Sequence, residues 1–526
     1  MESGRPPKSR VAVIGTGLAG LTTAHLLATD NKGRYEVTLF EQGNGLAFDS
    51  ASVDIKNVKT GAVERLDLPM RALAGGYYAN LLCMYEYLGI PIHPVRFLFV
   101  FAKSLMKAPA RSGSGSRSRT GGDATVRPAP EAEGKVGSAP GTYFVHASNL
   151  HKVIPPRPAE RGVLSHVVEI LYLIVCQFWF TIACFLIRPG TAPGKSSRGG
   201  ECETVSEYLE RIWLPRRYVS HYLLPLMSNV STCSHDELLR FPASDLVSYK
   251  KLSHGRQHYV VCGGAGVVQS RLSDCMNDIR LGARVLEVRP EANSQGVTVR
   301  WRLTKDGVME DLEETFDRVV LAVSPDVTGR IFKPLVGTLG KIPTIQVESH
   351  VVEPLGAEGE IGNYSRAESH ERPAPRCSGQ NGCAGPAQAI TFTTRFSEHG
   401  SRSEAVHTMP SGITVCTSPL QEPLNPKSTL HSAKFTRTLR TAESRAIVEK
   451  VLGESRRATE EIGGGGHQWV NGEDNVWLVG AWCWDGMVLL EGCVVSSLRV
   501  ADDFGVEVPW RDCLVIASVL QTELLL

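Results

Sequence analysis

The chain has 526 residues, more than one typical domain, and 42% of them are hydrophobic, enough to build a large core. Lys and Arg (56) balance Asp and Glu (55) to a net charge of +1, so the composition argues against a strongly basic nucleic-acid binder and no nucleic-acid partner is expected. The 13 cysteines form no CxxC pair and no Cys/His cluster at zinc-ligand spacing, which points to reduced thiols and no metal site.

The first ten residues, MESGRPPKSR, are polar and basic and run directly into an apolar stretch, leaving no room for a signal-peptide core; an intracellular protein is expected. Val11 to Ile14 reads as a strand, Leu18 to Ala28 has apolar residues at helical spacing, and Tyr35 to Glu41 alternates like a second strand. Together they form a β-α-β unit. Gly15, Gly17 and Gly20 fit G-x-G-x-x-G at its first turn, and Glu41 ends the second strand about 20 residues beyond Gly20, the arrangement of a dinucleotide pocket. Gly15 allows the tight turn, Gly17 lets the backbone approach a diphosphate, and Gly20 lets helix and strand pack closely. Leu18 and Ala19 open the helix, whose N-terminal amides face the phosphates. Glu41, followed by Gln42, is placed to accept hydrogen bonds from the adenosine ribose.

Further along, LDLPMRALAGGYYANLLCMYEYLGI reads as a Gly-rich turn and a helix with Leu81, Leu82, Tyr85 and Leu88 on one face. Residues 107–142 have almost no large apolar side chain and are expected to form a disordered insertion; a second such linker follows Arg188. Between them Ile170 to Ile187 carries no charge and just reaches the length of a membrane-span candidate. The expected modes are a helix lying on or dipping into a membrane, or the wall of an apolar substrate tunnel. His221, His235, His254 and His258 fit no metal spacing and read as satisfied or exposed histidines. HYVVCGGAGVVQSRL gives a strand, a turn and a helix start; with no carboxylate at the right distance, it reads as a structural turn. Strands follow at ARVLEVRP, VTVRWRL and DRVVLAVSP, then loop-rich stretches at 352–388 and 397–426. NVWLVGAWCWDGMVLLEGCVVSSLRVADDFG closes the chain as a buried strand, a turn and a helix.

The β-α-β unit does not separate FAD from NAD. The closing segment does, because it resembles the C-terminal flavin motif of the FAD-dependent amine oxidase and phytoene desaturase superfamily, where a strand ends in Gly and a helix starts under the flavin ring. The resemblance spans most of the chain outside the insertions, through VAVIGTGLAGLTTAHLL, EVTLFEQ, GGYYANLLCMYEYLGI, YLLPLMSNV, FPASDL, GGAGVVQSRL and GAWCWDG. It is closest to the predicted NAD/FAD-binding amine-oxidase-like proteins related to bacterial proteins associated with cyclopropane fatty-acid synthases. It implies an α/β fold: a discontinuous Rossmann-like FAD/NAD(P)-binding domain (1–92, 255–330, 472–526) and an α+β substrate domain (93–254, with the 107–142 insertion, and 331–471). It further implies FAD as cofactor, the Val285 backbone against the adenine, and Gly480, Trp482, Asp485, Gly486 and Met487 around the flavin, with a helix beginning near Gly486 and Met487. Trp482 and Trp484 read equally well as core residues or as the face on which a substrate stacks. The implied chemistry is hydride transfer to flavin from an apolar or lipid-like small molecule; a soluble flavin amine oxidase and a catalytically inactive membrane-associated scaffold are the alternatives.

The chain departs from the superfamily in two places. GNGLAFDSASVDI after Glu41 keeps Gly43 and Gly45 but has neither a GG pair nor an Arg, and Leu489 and Leu490 stand where the bacterial relatives have a His-Glu pair. No residue is therefore assigned as catalytic.

Overall fold

The computed structural model describes residues 7–56, 63–104, 141–147, 155, 157–158, 161–190, 202–291, 296–305, 308–352, 388–397, 400–409, 412–421, 428–453 and 469–513. The insertion expected at 107–142 lies outside these residues except for Gly141 and Thr142, and most of the linker after Arg188 and the stretch 353–387 also lie outside them.

Five short strands form a parallel sheet: β1 (Ser9–Ile14), β2 (Tyr35–Phe40), β3 (Asp278–Arg280), β4 (Arg318–Leu321) and β5 (Val476–Leu478). Their order is β3-β2-β1-β4-β5, so the N-terminal strand is central and the C-terminal strand returns to the far edge. β1 is almost uniformly apolar because both faces are covered. Val11 and Val13 point into one core, shared with α1 (Leu18–Ala28) and with α4, the closing helix (Leu490–Asp503); Ala12 and Ile14 point into another. The second core is capped by the antiparallel strands Ala283–Pro290, Val297–Lys305 and Val308–Phe316, with Trp301 and Phe316 edge-on to Phe40. The last of these, VMEDLEETF, gives little apolar signal in sequence. Cross-strand pairs such as Arg302 to Asp311 at 2.6 Å accompany its pairing.

A seven-stranded sheet forms the second layer, in the order Thr429–Thr438, Thr344–Val352, Thr414–Thr417, Arg402–Thr408, Gln388–Arg395, Phe97–Lys103, Thr142–Ala147. Two of these strands lie in the stretch 397–426 that reads as loop-rich: their Ser, Thr and Glu residues obscure the alternation, and pairing on both sides supplies what local composition does not. Buried on this sheet are His235, with Nε2 2.8 Å from Ser403 Oγ, and His407, with Nε2 2.8 Å from Gln388 Oε1. Burial pushes both imidazoles down, to about 4. An unfolded imidazole binds a proton near pH 6.5 whereas these resist until about pH 4. The stability they contribute is therefore complete above 6.5 and is lost as the pH falls toward 4, by about 3 kcal/mol per histidine at 1.36 kcal/mol per unit. Denaturant unfolding across this window is expected to show the fall, and His407→Gln is expected to flatten it; equal slopes in both proteins would refute the assignment.

The apolar segment expected at Ile170 to Ile187 belongs to a longer helix, α3 (Val163–Leu186), with α2 (Ala79–Tyr87) preceding it in the chain. One face of α3, with Cys176, Phe180, Ala183 and Cys184, packs into the protein. The opposite face, Leu164, Val167, Val168, Leu171, Ile174, Val175 and Phe178, recurs at helical spacing and is exposed.

Candidate dinucleotide site

β1 ends at Ile14 and the chain turns at Gly15, whose φ of +102° disfavours any side chain; an added Cβ would also stand 2.7 Å from the Ala322 carbonyl oxygen. At Gly20, inside α1, a Cβ would fall 2.0 Å from Gly15 O and 3.0 Å from Ala322 Cβ, so helix and strand touch backbone to backbone there. Gly17, the N-cap of α1, is different: nothing lies within 4 Å of its Cβ position. No side chain caps α1 and its first turn, opened by Leu18 and Ala19, holds no acidic residue, so the helix end offers amides and positive potential to an external anion.

Glu41 is buried at the end of β2. Its Oε2 accepts the Thr16 hydroxyl at 2.6 Å and the Thr16 N–H at 3.2 Å, and Oε1 accepts Gly43 N–H at 2.9 Å. The carboxylate thus fixes the glycine turn and retains acceptor capacity for one more hydroxyl. Gln42 beside it is exposed. Gly282 N–H donates to Gly43 O at 2.9 Å and Ala283 N–H to Glu41 O at 2.8 Å, so the strand carrying Val285 starts at the tip of β2. Gly15, Gly17, Leu18, Ala19, Gly20, Glu41, Gln42 and Val285 therefore gather at the carboxyl end of the parallel sheet, where open α/β sheets bind ligands.

The closing segment is fastened to the same place. Gly480 follows β5; its N–H donates to Ser496 Oγ at 3.0 Å, and Ser497 Oγ donates to Ala19 O at 3.0 Å, tying α4 to α1. The helix expected near Gly486 and Met487 begins later, at Leu490, after an N-cap at Leu489 in extended backbone. Trp484 is the reason. Its indole N–H donates to Met487 O at 2.9 Å and its ring lies across Gly486 and Gly492, where a Cβ would approach it to 2.5 and 2.4 Å, so residues 486–489 form a turn around the ring. Trp482 is core, donating to Val323 O at 3.2 Å, whereas Trp484 faces Tyr77, their ring centroids 6.1 Å apart; Asp485 is exposed.

Two side chains with no sequence signal complete this turn. Arg440, 1% exposed, donates through Nη2 to the carbonyls of Trp482, Trp484 and Gly486 at 3.1, 2.6 and 3.1 Å, with Asp245 3.9 Å behind it. Burial pushes the Asp245 carboxyl up to about 6, while Arg440 and Arg445 pull it down. Glu491, in the first turn of α4, accepts Asn80 N–H at 2.8 Å and Leu81 N–H at 3.1 Å at the start of α2; burial raises its pKa.

The remaining candidates lie elsewhere. His221 stacks on Phe396 at 4.6 Å, His258 meets Phe97, and burial lowers the pKa of His221, His254 and His258; among the described residues no group of His, Cys, Asp and Glu is arranged to hold a metal. The second Gly-rich turn opens the helix Ala265–Ser273, and Asp67 occupies its N-terminus, accepting Ala265 N–H at 2.9 and 3.1 Å, so this end already has its anion.

Residues 13–88 match the NAD(P)-binding Rossmann-like domain family, a minor part of the chain that contains the glycine turn and Glu41. No curated protein sequence matches the chain. Among solved structures, the CLA-producing fatty acid isomerase from P. acnes is 10% identical, with 95% of this chain and 100% of that one aligned at a TM-score of 0.52. A protein assigned as a protoporphyrinogen oxidase from Exiguobacterium sp. 255-15 is 14% identical over 95% of this chain and 99% of that one, at a TM-score of 0.48. The chain carries a Rossmann-like domain within a mixed α/β fold shared with the first of these.

Proposed function

We propose that this protein is an FAD-dependent oxidoreductase that takes a hydride from an apolar, lipid-like small molecule. The observation carrying this reading is the return of the chain's last strand and helix to the first: α4 is hydrogen-bonded to α1 through Ser497 and Ala19, which brings the closing segment to the helix whose N-terminus is open at Gly17. A cofactor with its diphosphate at Gly17 and its ribose at Glu41 would extend past α1 toward the turn 481–489. Bound there, the flavin would supply the hydride acceptor. The protein's own residues orient and shield: Arg440 holds the turn carbonyls, and Trp484, Tyr77 and Tyr249 form an aromatic wall beside them. The exposed apolar face of α3 supports a membrane as the source of substrate.

Purified protein is expected to bind FAD non-covalently, with the absorbance of an oxidised flavin and a melting temperature raised by added FAD. A protein that remains colourless and is not stabilised by FAD refutes the reading. The scaffold alternative draws on Glu491: its carboxylate is committed to α2, leaving exposed Asp485 as the carboxylate within the turn itself. Anaerobic bleaching of the bound flavin by unsaturated lipids or amines separates a catalyst from a scaffold.

A further inference from the structure

A diphosphate carries more negative charge than one helix end, worth about half a positive charge, can balance. The loop after Glu41 supplies no cation to it: residues 42–51 contain no Lys or Arg. The fold brings one there from elsewhere. Arg71 Nη2 donates to Phe48 O at 2.6 Å, and its guanidinium lies 4.4 Å over the Phe48 ring. The neighbouring Ala47 N–H donates to Thr16 Oγ1 at 2.8 Å, so Arg71 is one backbone link from the residue that precedes Gly17.

This guanidinium is buried but incompletely paired. Its Nη1 has no hydrogen-bond partner, and the nearest carboxylate, Asp67 at 4.0 Å, is committed to the helix at Ala265. A second arginine faces the same junction. Arg437, from the strand Thr429–Thr438, has a buried Nε without a partner, and Tyr78, Arg71 and Cys493 are among the ionisable side chains close enough to act on it. Cys493 lies in the first turns of α4 against the backbone of Ala19, the second residue of α1. Two guanidinium groups that repel each other, each with a buried donor left over, are costly unless an anion lies between them.

We infer that Arg71 and Arg437 clamp the diphosphate of the bound dinucleotide, Arg71 from beside the loop after Glu41 and Arg437 from the seven-stranded sheet, so that the cofactor fastens the two layers together. The inference rests on the dinucleotide reading above but is separable from it. Binding of FAD, ADP and adenosine is measured by titration calorimetry on the full chain, wild type and variants. Arg71→Met and Arg437→Met are each expected to weaken FAD and ADP by roughly tenfold or more and to leave adenosine unchanged, because only the diphosphate contact is lost. Arg71→Lys, which keeps the charge without the planar fork, is expected to fall between. Wild-type affinity for FAD and ADP in both methionine variants overturns the clamp while the dinucleotide reading stands, and equal losses on adenosine overturn it as general damage. A wild type that binds neither FAD nor ADP removes both. Should the methionine variants not fold, Arg71→Lys and Arg437→Lys are measured in their place: a loss on FAD and ADP with adenosine unchanged supports the clamp, and wild-type affinity for all three overturns it.

Discussion

Gly17→Val is expected to give a folded protein that no longer holds a dinucleotide, whereas Gly20→Val is expected to give little folded protein at all. The two glycines lie three residues apart in one motif, but their surroundings differ. At Gly17 an added side chain projects into open space, with no protein atom within 4 Å of the Cβ position, and the backbone needs no unusual conformation there. Its cost to folding is expected to stay within about 1 kcal/mol, the loss of a tolerated N-cap. The same space is where a diphosphate would meet the helix amides, so FAD affinity is expected to fall at least about a hundredfold, or roughly 2.7 kcal/mol. At Gly20 the Cβ would stand 2.0 Å from a backbone oxygen of Gly15, which cannot yield without separating α1 from β1. Overpacking at such a contact costs about 1–3 kcal/mol and more where backbone must move. Thermal melts give the first comparison and FAD titration the second. A Gly17→Val protein that binds FAD like wild type shows that the opening is not the cofactor cradle.

The glycine turn was legible because its constraints are local. Each of Gly15, Gly17 and Gly20 is needed within one strand-turn-helix unit, and Glu41 sits one strand later, so spacing alone exposes the pattern. The helix α3 was legible in composition but not in extent, because Glu169, which reads as a boundary, is buried in a salt bridge with Arg161 at 3.0 Å and Arg217 at 2.8 Å. Arg440, Glu491 and Arg71 were not legible. Each acts on a partner distant in sequence, 42 to 46 residues for Arg440 and about 410 for Glu491, or on a loop whose path no local pattern fixes. The start of α4 was misplaced by a few residues for a related reason. A Gly-Met pair after an aromatic run looks like a helix start until the Trp484 ring folds back over Gly486 and Gly492 and takes the Met487 carbonyl.

Leu171→Asp with Phe178→Asp is expected to release the protein from lipid vesicles without loosening its fold. Both residues are on the outward face of α3, 58% and 67% exposed, in a stripe that continues through Ile174 and Val175. Trp213, 87% exposed on a turn whose neighbour Ile212 accepts the Trp179 indole N–H at 2.7 Å, adjoins this stripe, and Arg188 and Arg216 are exposed near it. An apolar row edged by Trp and Arg is the chemistry of a helix lying in an anionic bilayer surface. Burying one Leu or Phe side chain contributes about 1.5–3 kcal/mol, so two aspartates should move binding by several powers of ten. The 24 residues of α3 are long and apolar enough to cross a bilayer, about 36 Å at 1.5 Å each, but its inner face is committed to the protein. Glu169 is paired with Arg161 and Arg217, the Tyr208 hydroxyl donates to Ala183 O and Ile187 O at 3.0 Å, and Tyr218 donates to Gln177. Withdrawing α3 to span a membrane would strip the buried Glu169 carboxylate of Arg161 and Arg217 and break these hydrogen bonds, so the helix is expected to lie in the plane of the surface. Phe180→Asp provides the contrast: at 2% exposure it faces the core, and it is expected to lower the melting temperature. Flotation with vesicles containing phosphatidylserine tests the set. Wild-type protein that stays in the aqueous fraction rules out the membrane reading, and release by Phe180→Asp with an unchanged melting temperature would place the lipid-facing side of α3 on the opposite face.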